Sequence, residues 1–501
     1  MSQSIGIDFG AYQSSIAVFA QNRIVAIANE EGATSTPSVV FFPETGKPVI
    51  GSKARRTAGL APERVLMPAQ LLAAAPPPSD FFPLSSENMP NLEQATAALF
   101  RKLAHDAGSA SQNPITEATV VVPCSFDTKQ RSIVLQAAQH AGIQAHLIEG
   151  AVAASLAYIV ERKTHASQNE TLLILDLGAS RLEASVVEIA DNTIEVCASA
   201  ADPGLGSAQI DQRIAGHFAE LCRQEQGIDL QQATASRYGL LRLAEQAKID
   251  LSSVTRTRVE LPMKKGKNEW GRFRTVLTRE DLETLAGDLF DRSLSLTAAV
   301  LHASGRWLEE IDGLLLLGGG IHSPAIKTRL HRFFGSDLPT VREGTTTVIA
   351  KGAALYAATR HGILRPMTFF RTSAFPIGAR MTGTEEIKEI FPHGVPMPAR
   401  QHTRLHAIKE KNNTWGVDIL TWTHKPDTTS DNLVSLPRLI GHYRRSVPEG
   451  EIPKKPQTLL EKNSSTKRDI VFEIDEDGIL SADLVSSGKQ KESLRFFRSA
   501  P

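Results

Sequence analysis

Two short segments carry a carboxylate and a glycine at matching places. Ile5-Gly6-Ile7-Asp8-Phe9-Gly10-Ala11 is followed by the run Ser14 to Phe19, and Leu173-Ile174-Leu175-Asp176-Leu177-Gly178-Ala179 by Leu182 to Ile189. Each reads as a buried strand, an Asp-x-Gly turn and a returning strand, a β-hairpin whose tip presents a carboxylate beside a permissive backbone. Further on, Gly313-Leu314-Leu315-Leu316-Leu317 leads into Gly318-Gly319-Gly320, and Ser323-Pro324 opens the amphipathic stretch Ala325 to Phe334. Such a glycine loop lets backbone approach a ligand closely, and the helix start offers N–H groups to an anion or a nucleotide. Taken singly, each pattern has a plain alternative: two unrelated hairpins, and glycines that serve close packing. Their succession in one chain points to a duplicated α/β unit.

The elements that would position these loops follow the same alternation. Ala118 to Pro123 reads as a strand and Thr128 to Ala141 as a helix; Leu205-Gly206-Ser207 precedes a helix over Ile210 to Arg223, and Arg237 to Leu251 and Arg279 to Ser304 are further helices. The stretch Ala73 to Pro90, broken by five prolines, reads as an irregular excursion. After Gly362 the texture turns to short apolar runs at Val417 to Trp422, Leu439 to Tyr443, Ile470 to Ile474 and Gly478 to Leu484, with the turn Asp475-Glu476-Asp477-Gly478 between the last two. This predicts a separate, mostly β domain, with the polar stretch Gln457 to Lys467 as a loop inside it.

Composition bounds the rest. At 501 residues the chain is too long for one ordinary core and predicts two or more domains. Lys+Arg and Asp+Glu balance at 55 each, so no bulk field draws it to nucleic acid or an acidic membrane. Cys124, Cys197 and Cys222 lack metal-ligand or disulfide-framework spacing, which suggests a reducing compartment. Without a signal-like N-terminus or a membrane-length apolar run, the expected location is the cytoplasm, with neither membrane nor sequence-specific nucleic acid as partner.

In the order of its elements the chain resembles the heat-shock-protein-70 (DnaK) superfamily of chaperones. The resemblance implies an α/β, duplicated actin-like (ribonuclease-H-like) ATPase fold over 1–363, a linker over 364–374 and a β-sandwich substrate-binding-like domain over 375–501. Ile5 to Ala11 resembles the family's first phosphate loop, Val121-Val122-Pro123 the strand ending in its switch proline, and Glu149-Gly150-Ala151-Val152-Ala153-Ala154 its Glu-Pro-Thr-Ala-Ala-Ala element. Asp176 to Arg181 resembles the second phosphate loop, Ala244-Glu245-Gln246-Ala247-Lys248 the adenosine-contacting helix, and Leu317 to Gly320 the adenosine loop. The resemblance thus implies ATP or ADP with Mg²⁺ as cofactors. The nucleotide contacts carried over are Asp8, Gly10, Ala11, Tyr12, Glu149, Asp176, Gly178, Ala179, Arg181, Gly206, Glu245, Lys248, Ser252, Gly318, Gly319 and Gly320, with Asp8 and Asp176 holding Mg²⁺ through water and Glu149 supporting that shell.

Departures from the pattern bear on activity. Ala11 and Tyr12 stand where the family has a Thr-Thr pair, and Gly178-Ala179-Ser180-Arg181 replaces Gly-Gly-Gly-Thr. Ala69 takes the place of the catalytic lysine, Ile249 that of an adenine-packing arginine, Gly320-Ile321-His322 that of Ser-x-Arg, and Thr346-Thr347 that of Asp-Glu. Phosphoryl transfer needs positioned charge around the phosphates. Loss of one preorganised donor typically costs on the order of a hundredfold in rate, so no catalytic residue is expected and hydrolysis should be weak or absent. Arg181 has three readings: reaching a γ-phosphate, filling an empty phosphate site as a surrogate cation, or facing solvent.

The excursion near 73–90 is shorter than the family's counterpart, which implies a trimmed lobe. Leu364-Arg365-Pro366-Met367-Thr368-Phe369-Phe370-Arg371 replaces the family's acidic, leucine-rich linker, and the chain ends soon after its last strand, before a helical lid. These features resemble the atypical, lidless, ribosome-associated subclass. They imply a co-chaperone that acts in protein folding as a scaffold or partner of a J-domain protein, with the ribosome or a nascent polypeptide as a further partner. The alternative is an active ATP-dependent peptide-binding chaperone whose cleft uses Arg181 and Lys248; a sugar kinase leaves the β domain without a role. Trp415, Trp422 and Tyr443 could line a groove but fit a sandwich core, and Arg438, Arg444 and Arg445 with Lys454 and Lys455 could form a basic patch or a solvated face. His140, His146 and His331 read as surface or helix residues, and Lys264-Lys265-Gly266-Lys267 as a hairpin tip.

Overall fold

The computed structural model describes residues 3–58, 61–67, 92–161, 169–228, 230, 234–264, 270–335, 340–344, 346–373, 376–381, 386–407, 414–421, 438–446, 466–485 and 491–494. They fall into two compact units, Met1–Cys124 with Val134–Phe369, and Ser125–Ile133 with Phe370–Pro501.

The first unit contains two sheets built on one plan. In the first, Arg23–Ala26, Gln13–Ala20 and Ser4–Asp8 form an antiparallel meander, and Glu117–Val122 and then Gln144–Glu149 continue it in parallel beside Ser4–Asp8. In the second, Thr193–Asp202, Leu182–Ala190 and Glu170–Leu177 form the meander, and Gly313–Leu317 and Thr340–Glu343 continue it in parallel. Hairpins join antiparallel neighbours cheaply, whereas parallel neighbours need a crossover. The helices Thr128–His140 and Pro324–Phe334 stand between successive parallel strands for that reason.

Alternate residues of one strand feed two cores. Leu173, Leu175 and Leu177 enter a cluster with Ile214, Phe218, Phe273 and Leu289, while Leu172 and Ile174 enter another with Val152, Leu156 and Leu355. A period of two places successive side chains on opposite faces, so the unbroken apolar run of this strand marks burial on both.

The second of these cores is built from small residues. Ala151, Ala153, Ala154 and Ala157 lie on the helix Gly150–Glu161, and Ala350, Gly352, Ala353 and Ala354 on the helix Val348–Arg360; all but the glycine sit within the buried cluster. A Cβ added to Gly352 would stand 1.7 Å from the Ala153 carbonyl oxygen, and one on Gly6 2.2 Å from the Ala350 carbonyl oxygen. The two helices and the strand Ser4–Asp8 therefore meet backbone to backbone.

Helices begin slightly earlier than their apolar periodicity indicates. The helix expected from Ile210 spans Ser207–Gln226, because Gly206 caps it and its N–H donates to Gln209 Oε1 at 2.8 Å. That expected from Arg237 spans Thr234–Leu251, and Arg279–Ser304 is closed at its start by Thr278 and Asp281, whose side chains and amides bond reciprocally. The stretch expected as a linker packs in part: Leu364, Met367 and Phe369 lie against the first unit's core, the Phe369 ring 4.8 Å from that of Tyr356. Residues 73–90 lie outside the described residues.

The second unit holds two antiparallel four-stranded sheets. One runs in the order Lys388–Phe391, Ile377–Met381, Thr414–Thr421, Arg438–Ser446, the other Ala399–Ala407, Thr466–Ile474, Leu480–Val485, Lys491–Leu494. Ile377, Ala379, Val417 and Ile419 from one and Leu405, Ile470, Phe472 and Leu480 from the other share a core. The turn after Ile474 closes with the Gly478 N–H donating to the Asp475 carbonyl at 3.0 Å, Gly478 adopting φ 75°. Trp422, Lys454 and Lys455 lie outside the described residues, while Trp415, Tyr443, Arg438, Arg444 and Arg445 sit on the adjacent paired strands Thr414–Thr421 and Arg438–Ser446. Among the described residues no helix is long and apolar enough to cross a membrane.

The close helix contact gives a paired test. Gly352→Ala forces backbones apart and should lower stability by about 1–3 kcal/mol in urea unfolding followed by circular dichroism. Gly216→Ala, in the helix Ser207–Gln226 where an added Cβ meets nothing within 4 Å, should raise it by about 0.5–1 kcal/mol.

Candidate functional site

The first hairpin is pinned by a serine that sequence reasoning passed over. Asp8 pairs with Ser15 across the hairpin, and the intervening loop is held by Ser38, whose Oγ donates to the Gly10 carbonyl at 2.7 Å and whose N–H donates to the Tyr12 carbonyl at 3.0 Å. Ser14 Oγ lies 2.8 Å from Ser38 Oγ. Nothing in the stretch Thr36-Pro37-Ser38-Val39-Val40-Phe41 singles out Ser38 as the support of that loop.

The second hairpin is pinned by a helix start. Asp176 stands opposite Glu183, and the turn Gly178 to Arg181 closes with the Gly178 N–H donating to the Arg181 carbonyl at 3.0 Å. The N–H groups of Ser207 and Ala208 donate to the carbonyls of Gly178 and Ala179 at 3.0 and 2.9 Å. A Cβ on Gly206 would lie 2.3 Å from the Ala179 oxygen, so only glycine permits this docking. The helix N–H groups that could have received an anion are thereby spent on the loop itself.

Gly318 closes the third side. Its strand runs parallel to Glu170–Leu177 with Leu317 opposite Asp176, and at φ 80° a Cβ there would fall 2.5 Å from Asp176 Oδ1. Gly319 opens a 3₁₀ turn to His322, and a Cβ on Gly320 would meet the Leu177 side chain.

These loops bring four charges together. Asp8 and Asp176 are each partly exposed yet densely surrounded by protein; burial, then the charge of Asp176, pushes Asp8 up to about 8. Burial raises Asp176 to about 6 against the opposing pull of Arg181, and raises Glu183 to about 7 against the same guanidinium. Arg181 is only 7% exposed and lies within electrostatic reach of Glu183, Cys124 and Asp176, while burial lowers its own pKa. The reading of Arg181 as a solvent-facing hairpin residue is therefore corrected: the helix start at Ser207 covers the turn and directs the side chain inward. Glu183, which sequence reasoning missed, accepts the Cys124 N–H on Oε2 at 3.4 Å, and its Oε1 is buried without a hydrogen-bond partner.

A second cluster occupies the neighbouring wall. On the helix Thr234–Leu251, Lys248 pairs with Asp211 at 2.7 Å and donates to the Ser207 carbonyl at 3.0 Å. Glu245 pairs with Arg55 of the helix Ser52–Thr57, and the Tyr238 hydroxyl donates to the Arg55 carbonyl at 3.0 Å. The Tyr12 phenol lies among Asp211, Glu245, Arg55 and Tyr238, its pKa raised by burial first and by the two carboxylates next. Ser252 sits in the turn after the helix, its N–H bonded to the Ile249 carbonyl, and Ile249 is exposed. Glu149 is buried at a strand end opposite Val122, one residue beyond Val121, the partner of Asp8. Ala69 lies outside the described residues.

At Gly10, Gly206 and Gly318 an added Cβ would fall within 2.5 Å of the carbonyl oxygens of Gln13, Ala179 and Leu177, so these glycines let the loops pack closely on backbone. Among the described residues no group of three or more His, Cys, Asp or Glu side chains could hold a metal ion directly, while Asp8 and Asp176, the pair expected to hold Mg²⁺ through water, lie within electrostatic reach of each other.

A family model described as "Hsp70 protein" matches residues 4–72 and 85–495. The chain is 28% identical over 98% of its length to the chaperone protein DnaK of Prochlorococcus marinus (strain MIT 9515), covering 77% of that protein. It is 27% identical over 97% of its length to the stromal 70 kDa heat shock-related protein, chloroplastic, of Pisum sativum, covering 69% of it.

The raised carboxylates set the sign of a pH response. Folded Asp8 keeps a proton that the unfolded chain releases between its ordinary value of 3.8 and about 8, so its contribution to stability is lost as pH rises through that window. Asp8→Asn should therefore raise the thermal midpoint, and by more near pH 8 than near pH 5. Scanning calorimetry of both proteins across that range checks it; an unchanged difference between the two proteins would contradict the placement of Asp8.

Proposed function

The chain belongs to the Hsp70 family, and from that premise we propose that it is an Hsp70-type co-chaperone whose nucleotide cleft binds without effective turnover. On this reading the two sheets of common plan are the halves of a duplicated actin-like fold, and the paired sheets of the second unit are a peptide-binding β-sandwich. The observation that carries the proposal is the position of Arg181. In place of a threonine hydroxyl at the second phosphate loop stands a buried guanidinium whose charge reaches Asp176 and Glu183.

Other features support the same reading. Tyr12 brings a phenol ring among Asp211 and Glu245, near where the resemblance places phosphate and ribose. Ala11 removes a hydroxyl, and Ala69 stands at the position of the catalytic lysine. The alternative, an active peptide-binding chaperone that recruits Lys248, is disfavoured because Lys248 is engaged with Asp211 and the Ser207 carbonyl. Without a lysine or threonine to orient the attacking water and stabilise the developing charge, the loops position nucleotide but do not activate it.

What remains for such a chain is association. Hsp70-family chaperones work with J-domain proteins, and this one is assigned a J-domain protein as standing partner, in the cytoplasm, with the ribosome or a nascent polypeptide as the place of action. The three cysteines, none in a disulfide, fit a reducing compartment.

Single-turnover hydrolysis of radiolabelled ATP, with and without a J-domain protein, tests the proposal. Turnover should be at least about a hundredfold below that of an Hsp70 with intact loops, with or without the partner. Full turnover that disappears in Asp8→Ala and Asp176→Ala would establish the active chaperone instead.

A further inference from the structure

The paired strands Arg256–Lys264 and Trp270–Thr278 form a two-stranded ribbon whose side chains divide by the alternation of a strand. Val259, Phe273 and Leu277 are buried in the first unit's core with Phe218, Leu240 and Ala286, the Phe273 ring 6.4 Å from that of Phe218. The opposite face is exposed and carries Arg256, Arg258, Glu260, Arg272 and Arg274. Arg274 stands opposite Glu260 and Arg272 opposite Pro262, so the four arginines form a stripe that starts on one strand and crosses to the other. At about 3.4 Å per residue the stripe is about 20 Å long. Its charge is not balanced within the protein. Glu260 pairs with Arg272 at 2.6 Å and with Arg274 at 3.0 Å, one carboxylate for two guanidinium groups. Among the described residues Arg256 and Arg258 have no ion-pair partner. Carboxylates at the foot of the ribbon are engaged elsewhere: Asp250 accepts from Gln246 at 2.8 Å and from Thr257 at 2.9 Å, and Asp281 accepts from Thr278 at 2.7 Å. In a chain whose 55 cationic and 55 anionic side chains cancel, a local excess of this kind is what can hold a polyanion.

We propose that this ribbon face is an RNA-docking surface that meets the phosphates of a duplex without reading its bases. It is independent of the nucleotide cleft and of what that cleft does. Guanidinium groups suit phosphate because a planar fork of donors meets two oxygens at once. Contacts of this kind fix position and carry no sequence information. Beside the arginines the exposed face holds Pro262 and Val276, neither of which hydrogen-bonds a base edge. Shape favours RNA over DNA. With its other face committed to the core, the ribbon cannot enter the DNA major groove, which admits a two-stranded ribbon. It can lie flat across the wide, shallow minor groove of an A-form helix, against the phosphates that border it. A lipid surface fits less well, because adsorption adds buried apolar area to charge, and Val276 is the one exposed large apolar side chain on the face among the described residues.

Fluorescence anisotropy of the full chain with a labelled RNA duplex of about 16 base pairs tests the proposal. The dissociation constant should fall between about 1 and 100 µM near physiological salt and weaken steeply as salt is raised. Arg256→Gln with Arg258→Gln, shown to be folded by circular dichroism, should weaken binding about tenfold or more and reduce the slope of log affinity against log salt by about 2. Arg23→Gln with Arg332→Gln removes the same charge from exposed positions elsewhere and should change affinity by less than about twofold. Glu260→Gln frees Arg272 and Arg274 from their shared carboxylate and should tighten binding at least about twofold, an effect that a merely structural role for the ribbon would not produce. No binding at about 100 µM protein, or equal losses in the two double variants, would overturn the proposal. Tighter binding to a DNA duplex of the same sequence, to polyglutamate or to phosphatidylserine vesicles would overturn it too, and would assign the face to DNA, to an acidic polypeptide or to a membrane.

Discussion

Backbone contact at the centre of the first unit decides what the rest of it can do. Gly352 lies on the Ala153 carbonyl and Gly6 on the Ala350 carbonyl, so two helices and the strand that ends in Asp8 share a space with room for no side chain at those points. Alanines fill the remainder of the crossing. Such packing is held by many weak dispersion contacts at short range, and it tolerates little change in volume because interiors are already near crystalline density. Its consequence is positional. The two hairpins are brought close enough for Asp8 and Asp176 to sense each other's charge.

Once those carboxylates are neighbours, every other charge in the cleft has to be arranged around them. Arg181 lies within electrostatic reach of Asp176 and Glu183, while Lys248 pairs with Asp211 and Arg55 with Glu245. Lys248 and Arg55 are thus held by carboxylates of the protein itself. A phosphate-transfer site works by keeping preorganised charge directed at the place where negative charge develops, without reorganising at the moment of reaction. Here the cations are directed at the protein's own carboxylates, and a ligand can use only the donors those pairs leave over. On the reading proposed for this chain, the same pairing limits what the site can catalyse.

Much of this architecture was legible in the residues. Strands with tips at Asp8 and Asp176, the glycine loop at Gly318 and the helices after Gly206 and Thr278 carry local signals: apolar period, turn chemistry and caps. The strands of the second unit were readable for the same reason. What stayed hidden depends on contacts between distant segments. The inward course of Arg181 follows from a helix start docking on its turn from residue 207, and a hairpin-tip arginine taken alone reads as solvated. Tyr12, Arg55, Tyr238 and Glu245 converge although up to 233 residues separate them. Ser38 supports the first loop from a short stretch of serine, threonine and proline in which no local pattern marks it.

A nucleotide-driven chaperone needs two states that its ligands distinguish, and a ligand shifts an equilibrium only by its differential affinity for those states. Loops whose backbones are already bonded to one another, as the Gly178 to Arg181 turn is to the helix start at Ser207, offer a bound ligand one arrangement to stabilise. On the reading proposed for this chain, the cleft is a place where a bound nucleotide stiffens the fold, and the work of association falls to surfaces that need not change with it.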